Sequence, residues 1–138
     1  MKEWTVEATT DAIPGITAEI GRELEALECS KQAQRQINVA LDELLSNIAN
    51  YAYAPGTGEM TVRMQYDAIS GMVSLTFIDG GVPYNPLEKP DPDVTQAIEE
   101  RQIGGLGILM VKKKMDGMTY RREGNLNMLT IHKQIHGG

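Results

Sequence analysis

Three short stretches of this sequence bring together residue types that could carry chemistry. The first is "ALDELLSNIANYAY", in which Glu43, Asn47 and Asn50 follow one another at intervals of four and three residues. On a helix, at about 100° per residue, this spacing places the three side chains on one face. A carboxylate there could accept a proton, and two carboxamide oxygens could hold a hard cation. A solvated helix surface opposite an apolar stripe accounts for the same spacing.

The second stretch is "FIDGGVPYNP", at the end of a predicted strand. Asp79 stands where the apolar run of the strand stops, and Gly80 and Gly81 follow it. Glycines at this point would let a ligand approach the backbone closely. A simple Asp-Gly turn explains the pattern equally well.

The third stretch, "GGLGILMVKKKMDG", places Gly104, Gly105 and Gly107 at the start of a predicted helix. A helix N-terminus offers unpaired N–H groups and the positive end of the helix dipole, and glycines leave room for a phosphate. The stretch could therefore form a phosphate-binding site. A flexible hinge before a helix is the alternative, because a lone Gly-x-Gly pattern is not specific.

The elements that would position these stretches follow from hydrophobic periodicity. Helical spacing predicts helices at about 11–28, capped by Thr10 or Asp11, and at about 31–53, capped by Ser30. Two alternating stretches, "EMTVRMQYD" and "GMVSLTFIDGG", predict a hairpin. Weaker alternation predicts a first strand at residues 3–8.

The second half of the chain begins with a long loop at 83–103, which is followed by a helix at about 105–116. Two strands joined by a Gly-Asn turn complete the chain in "MTYRREGNLNMLTIHKQ". Helices and strands do not alternate one for one. This order predicts an α+β two-layer sandwich, with a mostly antiparallel mixed sheet and the helices on one face.

Composition narrows the class of protein. A chain of 138 residues has room for one core, which predicts a single domain over residues 1–138. The net charge of −6 disfavours a nucleic-acid partner, because phosphate neutralisation needs a basic surface. No apolar run suits a membrane span or a secretory signal, which predicts a cytoplasmic protein. One cysteine, Cys29, favours a structural thiol over a nucleophile.

The order and spacing of the three stretches resemble the nucleotide site of the GHKL ATPases, the group of gyrase, Hsp90, histidine kinases and MutL. Within that group, "DGGVPYNP", "EERQIGGLGILMVKKKMDGMTYRREGN" and "NMLTIHK" are most similar to the stand-alone anti-sigma factor serine/threonine kinases. The similarity runs from about residue 5 to residue 134. It implies the Bergerat ATP-binding fold, with ATP and Mg²⁺ as cofactors.

The resemblance also implies roles for residues at the phosphates of ATP. Glu43 would be the general base that accepts the proton of the attacking hydroxyl, and Asn47 would bind Mg²⁺. Gly105 and Gly107 would contact the phosphates. Residues 87–103 would form a lid over ATP.

At the base, the resemblance implies that Asp79 accepts a hydrogen bond from the adenine amino group. Gly81 would keep this pocket open, and Thr130 would assist from the last strand. Tyr84 and Asn85 depart from the aromatic-Asp pattern that many relatives have after the proline. Asn50 stands where relatives often carry histidine, so it receives no firm role.

The implied partners are a sigma factor and a STAS-type anti-sigma antagonist, which the protein would phosphorylate, and the family also suggests a homodimer. An ATP-gated protein-binding module without phosphotransfer remains the alternative. A histidine-kinase domain is less favoured because the sequence shows no phosphoaccepting helices. Gyrase-like hydrolysis is less favoured because no second domain supplies a lysine to the γ-phosphate.

Overall fold

A computed structural model describes residues 1–88 and 106–136. Within them lie five strands and three α-helices: β1 (Lys2–Glu7), α1 (Ile13–Ala26), α2 (Lys31–Asn47), β2 (Glu59–Asp67), β3 (Met72–Asp79), α3 (Leu106–Lys114), β4 (Gly117–Glu123) and β5 (Leu126–Gln134). None of the helices in these two ranges combines the length and the apolar character that a membrane span requires.

The strands form one sheet in the order β1-β2-β3-β5-β4. All four pairings are antiparallel, whereas the sequence predicted a mostly antiparallel sheet with some mixed character. The predicted hairpin of β2 and β3 is confirmed, and so is the turn at Gly124 and Asn125 between β4 and β5. Gly124 has φ of +59°, a left-handed conformation that glycine adopts without strain.

The three helices pack on one face of the sheet, which confirms the predicted α+β two-layer architecture. Alternate strand residues point towards the helices because successive side chains of a strand face opposite sides. The core is formed by these residues and by the apolar stripes of the helices: Ile16, Ile20, Leu24, Ile37, Leu41, Leu45, Met60, Val62, Val73, Leu75, Phe77, Ile108, Val111 and Ile131. The opposite face of the sheet carries mostly polar side chains, with Ile78 and Met128 as a buried apolar pair.

The helix that carries the first candidate stretch begins as predicted and ends differently. Ser30 caps α2, since its Oγ accepts a hydrogen bond from the backbone N of Ala33 at 3.1 Å. After Asn47 the chain forms one π-helical turn, Ile48–Ala52, in place of the predicted α-helix to residue 53. This turn lies at the candidate site.

Two further boundaries differ from the predictions. Helix α1 begins at Ile13, after a 3₁₀ turn at Thr10–Ala12, and its start has no side-chain cap. The predicted loop at 83–103 is described only to residue 88, where it forms a 3₁₀ turn at Pro86–Glu88. The predicted lid therefore lies outside the described residues from position 89 onwards.

Candidate functional site

A cavity of about 240 Å³ opens between the C-terminal end of α2 and the loop that follows β3. Nine residues from the end of α2, the π-helical turn, the end of β3, the loop after it and β5 line the cavity: Asn47, Ile48, Tyr51, Ala52, Asp79, Val82, Pro83, Tyr84 and Asn127. The structure therefore brings Asn47 and Asp79, both predicted as site residues, to one cavity. Its walls are otherwise mostly apolar, as is typical of sites that bind small organic ligands.

Asp79 is the last residue of β3, and only 7% of it is exposed. Its Oδ1 accepts hydrogen bonds from the backbone N of Gly81 and from Nδ2 of Asn127, both at 2.9 Å. Within the described residues, Oδ2 of Asp79 makes no hydrogen bond. Oδ2 is therefore the carboxylate atom that remains available to a ligand in the cavity.

Gly81 allows the loop after β3 to approach the π-helical turn. A Cβ atom at position 81 would lie 2.2 Å from the carbonyl oxygen of Ala52, closer than any real contact. The next residue, Val82, donates its backbone N–H to that same oxygen at 3.0 Å. Glycine at position 81 thus sets the distance between the two walls of the cavity.

Thr130 is not at the cavity, although the resemblance implied a role for it there. It lies on the polar face of the sheet, where its hydroxyl is 2.9 Å from the hydroxyl of Thr76. The reason is the two-residue period of the strand, which points residues 127, 129 and 131 towards the helices and residue 130 away from them.

The β5 residue that does reach the cavity is Asn127, which the sequence analysis missed. It is 6% exposed and lies directly opposite Asp79 in the β3–β5 pairing. Its Nδ2 donates to Asp79 and to the carbonyl oxygen of Val82, the latter at 2.8 Å. A signal existed in the sequence, because Asn127 is a polar residue in phase with the buried Leu129 and Ile131.

Glu43 lies one helical turn before Asn47 on α2 and is half-buried. Its carboxylate is against Gly107, at the start of α3: a Cβ at position 107 would lie 2.1 Å from Oε2 of Glu43. The structure thus joins the first and third candidate stretches. Asn50 is exposed, and Gly104 and Gly105 lie outside the described residues.

The two residues that depart from the family pattern have local roles in the loop after β3. The backbone N of Tyr84 donates to Oδ1 of Asn127 at 3.3 Å, and burial raises the pKa of the Tyr84 hydroxyl above its ordinary value. Asn85 accepts a hydrogen bond through Oδ1 from the backbone N of Leu87 at 2.9 Å, which stabilises the 3₁₀ turn.

The site thus has two ends along α2. One offers a mostly apolar cavity with a single available carboxylate oxygen, which suits an apolar ring that carries an N–H donor. The other offers a carboxamide, a carboxylate and the N-terminal turn of α3, which suit a hydrated cation, a proton and an anion.

Comparison with known proteins identifies similar chains. A family model described as a histidine kinase-like ATPase domain matches residues 6–133. The serine/threonine-protein kinase BtrW of Bordetella bronchiseptica is 27% identical over 95 residues, which cover 69% of this chain and 66% of that protein. The chain therefore spans just under two thirds of the length of that relative. The Acinetobacter baumannii histidine kinase AdeS gives a TM-score of 0.49 at 16% identity, with 99% of this chain and 70% of that chain covered.

Proposed function

This chain belongs to the histidine kinase-like ATPase family, and from that premise we propose that it is an ATP-dependent protein serine/threonine kinase of the anti-sigma factor type. The observation that carries the proposal is the cavity beside Asp79. A purine base would lie against apolar walls such as Ile48 and Val82, and its exocyclic amino group would donate to Oδ2 of Asp79.

Asn47 is the residue that would hold Mg²⁺. Its side chain lines the same cavity as Asp79, and a carboxamide oxygen is a ligand that Mg²⁺ accepts alongside phosphates and water. When bound, Mg²⁺ neutralises charge on the phosphates. Gly107 lets the first turn of α3 lie directly against the Glu43 carboxylate, and the backbone N–H groups of that turn would donate to a phosphate. The proposal also includes the phosphate contact that the family resemblance implies for Gly105.

Glu43 would act as the general base. The oxygen of a substrate hydroxyl would form a bond to the γ-phosphorus while the bond from that phosphorus to the bridging oxygen breaks and ADP leaves. The proton of the hydroxyl would pass to the Glu43 carboxylate, which lies one helical turn from Asn47 on the same face of α2.

The protein partners are part of the proposal and rest on family resemblance. We propose a serine or threonine hydroxyl of a STAS-type anti-sigma antagonist as the phosphate acceptor, a sigma factor as the regulated partner, and a homodimer as the assembly. The similarity to a protein named as a serine/threonine-protein kinase supports the acceptor class.

Calorimetric titration with ATP, with and without Mg²⁺, tests the nucleotide site. We expect binding that strengthens with Mg²⁺ in the unchanged protein. In the Asp79→Ala variant we expect affinity to fall about 100-fold or more, because a buried amino group would lose its acceptor. Equal affinity in the variant would remove Asp79 from the base pocket, and no ATP binding to the unchanged protein would overturn the proposed function.

A further inference from the structure

The buried side chain of Asn127, to which the proposed function gives no role, is the centre of a hydrogen-bond network that includes Asp79. Its Oδ1 accepts from the backbone N of Tyr84, from the hydroxyl of Tyr120 and from Nη1 of Arg122, the last at 3.1 Å. Its Nδ2 donates to Oδ1 of Asp79 and to the carbonyl oxygen of Val82. One carboxamide thus connects β3, β4, β5 and the loop at the cavity.

The orientation of this carboxamide is fixed by its partners. Tyr84 N and Arg122 Nη1 are donors that can approach only an oxygen, and the carbonyl of Val82 can accept only from a nitrogen. Rotation of the amide by 180° would place its oxygen against the carboxylate of Asp79, and several hydrogen bonds would be lost at once. The –NH₂ group therefore faces Asp79.

The orientation decides what Asp79 offers to a ligand. Its Oδ1 already accepts from Asn127 and from the backbone N of Gly81, each at 2.9 Å, so two donors engage this oxygen. Oδ2, to which no described residue donates, is the oxygen that would accept a hydrogen bond from the base. The pocket consequently presents a single acceptor, whereas a free carboxylate presents two side by side.

We propose that Asn127 is a specificity-determining positioning residue that makes this pocket select adenine over guanine. This inference rests on the proposed nucleotide site. Adenine has one amino donor beside a ring acceptor, so one carboxylate oxygen satisfies it. Guanine has two adjacent donors, N1–H and the 2-amino group, which match both oxygens of a carboxylate in the way a guanidinium does. With Oδ1 of Asp79 occupied jointly by Asn127 and the backbone N of Gly81, that two-bond pairing is blocked, and the 6-oxo group of guanine finds no donor from Asp79.

The test is the ratio of the dissociation constants for Mg·GTP and Mg·ATP, measured by calorimetry in three proteins. In the Asn127→Leu variant, which keeps a similar side-chain volume, we expect the ratio to fall about tenfold or more, because Oδ1 of Asp79 then accepts only from the backbone N of Gly81 and can accept a further hydrogen bond from guanine. In the control variant Thr76→Val, which removes a hydroxyl from the open face of the sheet, the ratio should stay within about twofold of the unchanged protein.

A purely structural role for Asn127 would weaken ATP and GTP binding equally, so an unchanged ratio in Asn127→Leu overturns the inference. If that variant does not fold, Tyr120→Phe decides the question, because it removes one donor to Oδ1 of Asn127 and leaves the amide in place. We expect a ratio lower by about threefold in this variant, and an unchanged ratio again overturns the inference. Nucleotide binding without any preference for ATP in the unchanged protein overturns this inference alone, whereas binding of neither nucleotide overturns the proposed function.

Discussion

The two ends of the candidate site are held in place by different kinds of contact. The proposed base end, formed by Asp79, Gly81 and Asn127, is held by hydrogen bonds that join the buried Asp79 and Asn127 side chains to each other and to the backbone of the loop after β3. The proposed phosphate end consists of the half-buried side chains of Glu43 and Asn47, both on α2, and of Gly107 on α3, which has no side chain. The base end therefore has one arrangement available to it, while the phosphate end can adjust by rotating side chains.

Two glycines make the contrast measurable, because each lies in a similarly close contact. An added Cβ would come within 2.2 Å of a neighbouring atom at Gly81 and within 2.1 Å at Gly107. The neighbour of Gly81 is the backbone oxygen of Ala52, which cannot move without the π-helical turn. The neighbour of Gly107 is the end of the flexible Glu43 side chain. Nearly equal distances thus predict unequal losses of stability when each glycine is replaced by alanine.

The largest effect is expected at the phosphate end, on catalysis. Replacement of Glu43 by Gln keeps its shape and removes its basicity, so we expect phosphate transfer to slow about 100-fold or more while ATP affinity stays within about twofold. Transfer of the γ-phosphate from labelled ATP to a STAS-type antagonist would be measured. The matched control is Asp42→Asn, which makes the same chemical change at the preceding, exposed position of α2.

Two results would change the assignment of the phosphate end. Equal transfer rates in the two variants would remove Glu43 from the role of base. No transfer by the unchanged protein, together with ATP-dependent binding to its partner, would favour the ATP-gated binding module over the kinase.

The next effect concerns stability at the base end. We expect Gly81→Ala to lower the free energy of unfolding by about 1–3 kcal/mol, because a backbone carbonyl must shift to admit the Cβ. Gly80→Ala is the matched control, since its Cβ would have no neighbour closer than 3.5 Å, at the hydroxyl of Tyr53. Urea denaturation measures the free energy of unfolding of both variants. Equal values would mean that the π-helical turn can shift to admit the Cβ at little cost.

The smallest effect is expected from Gly107→Ala. The added methyl group would displace the Glu43 carboxylate, while alanine favours a helix over glycine by about 1 kcal/mol, so the net change in unfolding free energy should stay within about 1 kcal/mol. Urea denaturation beside Gly81→Ala makes the comparison direct. A loss as large as that of Gly81→Ala would show that the phosphate end is as rigid as the base end.

The sequence predicted those parts of the site that depend on local periodicity. Glu43 and Asn47 share a helix face because helical geometry fixes their spacing, and Asp79 was located by the end of an apolar run. Thr130 and Asn127 are both polar residues of β5, and the difference between them is which face of the strand each occupies. A strand reverses the direction of its side chains at each residue. Thr130 is three positions after Asn127, an odd number, so its side chain lies on the face away from the site.

The remaining features depend on contacts between distant segments. The reason for glycine at position 81 is the carbonyl of Ala52, which the π-helical turn presents, and no local pattern in the sequence predicted that turn. The fold class could be predicted because it follows from the order of helices and strands along the chain. The pairing of Asp79 with Asn127 could not, because it depends on the register between β3 and β5.

The position of β5 has a consequence for how the chain folds. Among the described strands β5 comes last in sequence, yet it lies between β3 and β4, and Asp79 and Asn127 are 48 positions apart along the chain. The hairpin of β2 and β3 can form from neighbouring segments, whereas the pairing of β1 with β2 and the proposed base pocket between β3 and β5 both need long-range contacts, which are the slow kind of step in folding. During synthesis, a growing chain would acquire its nucleotide pocket only after this strand had emerged, so bound nucleotide would stabilise only chains that had completed the sheet.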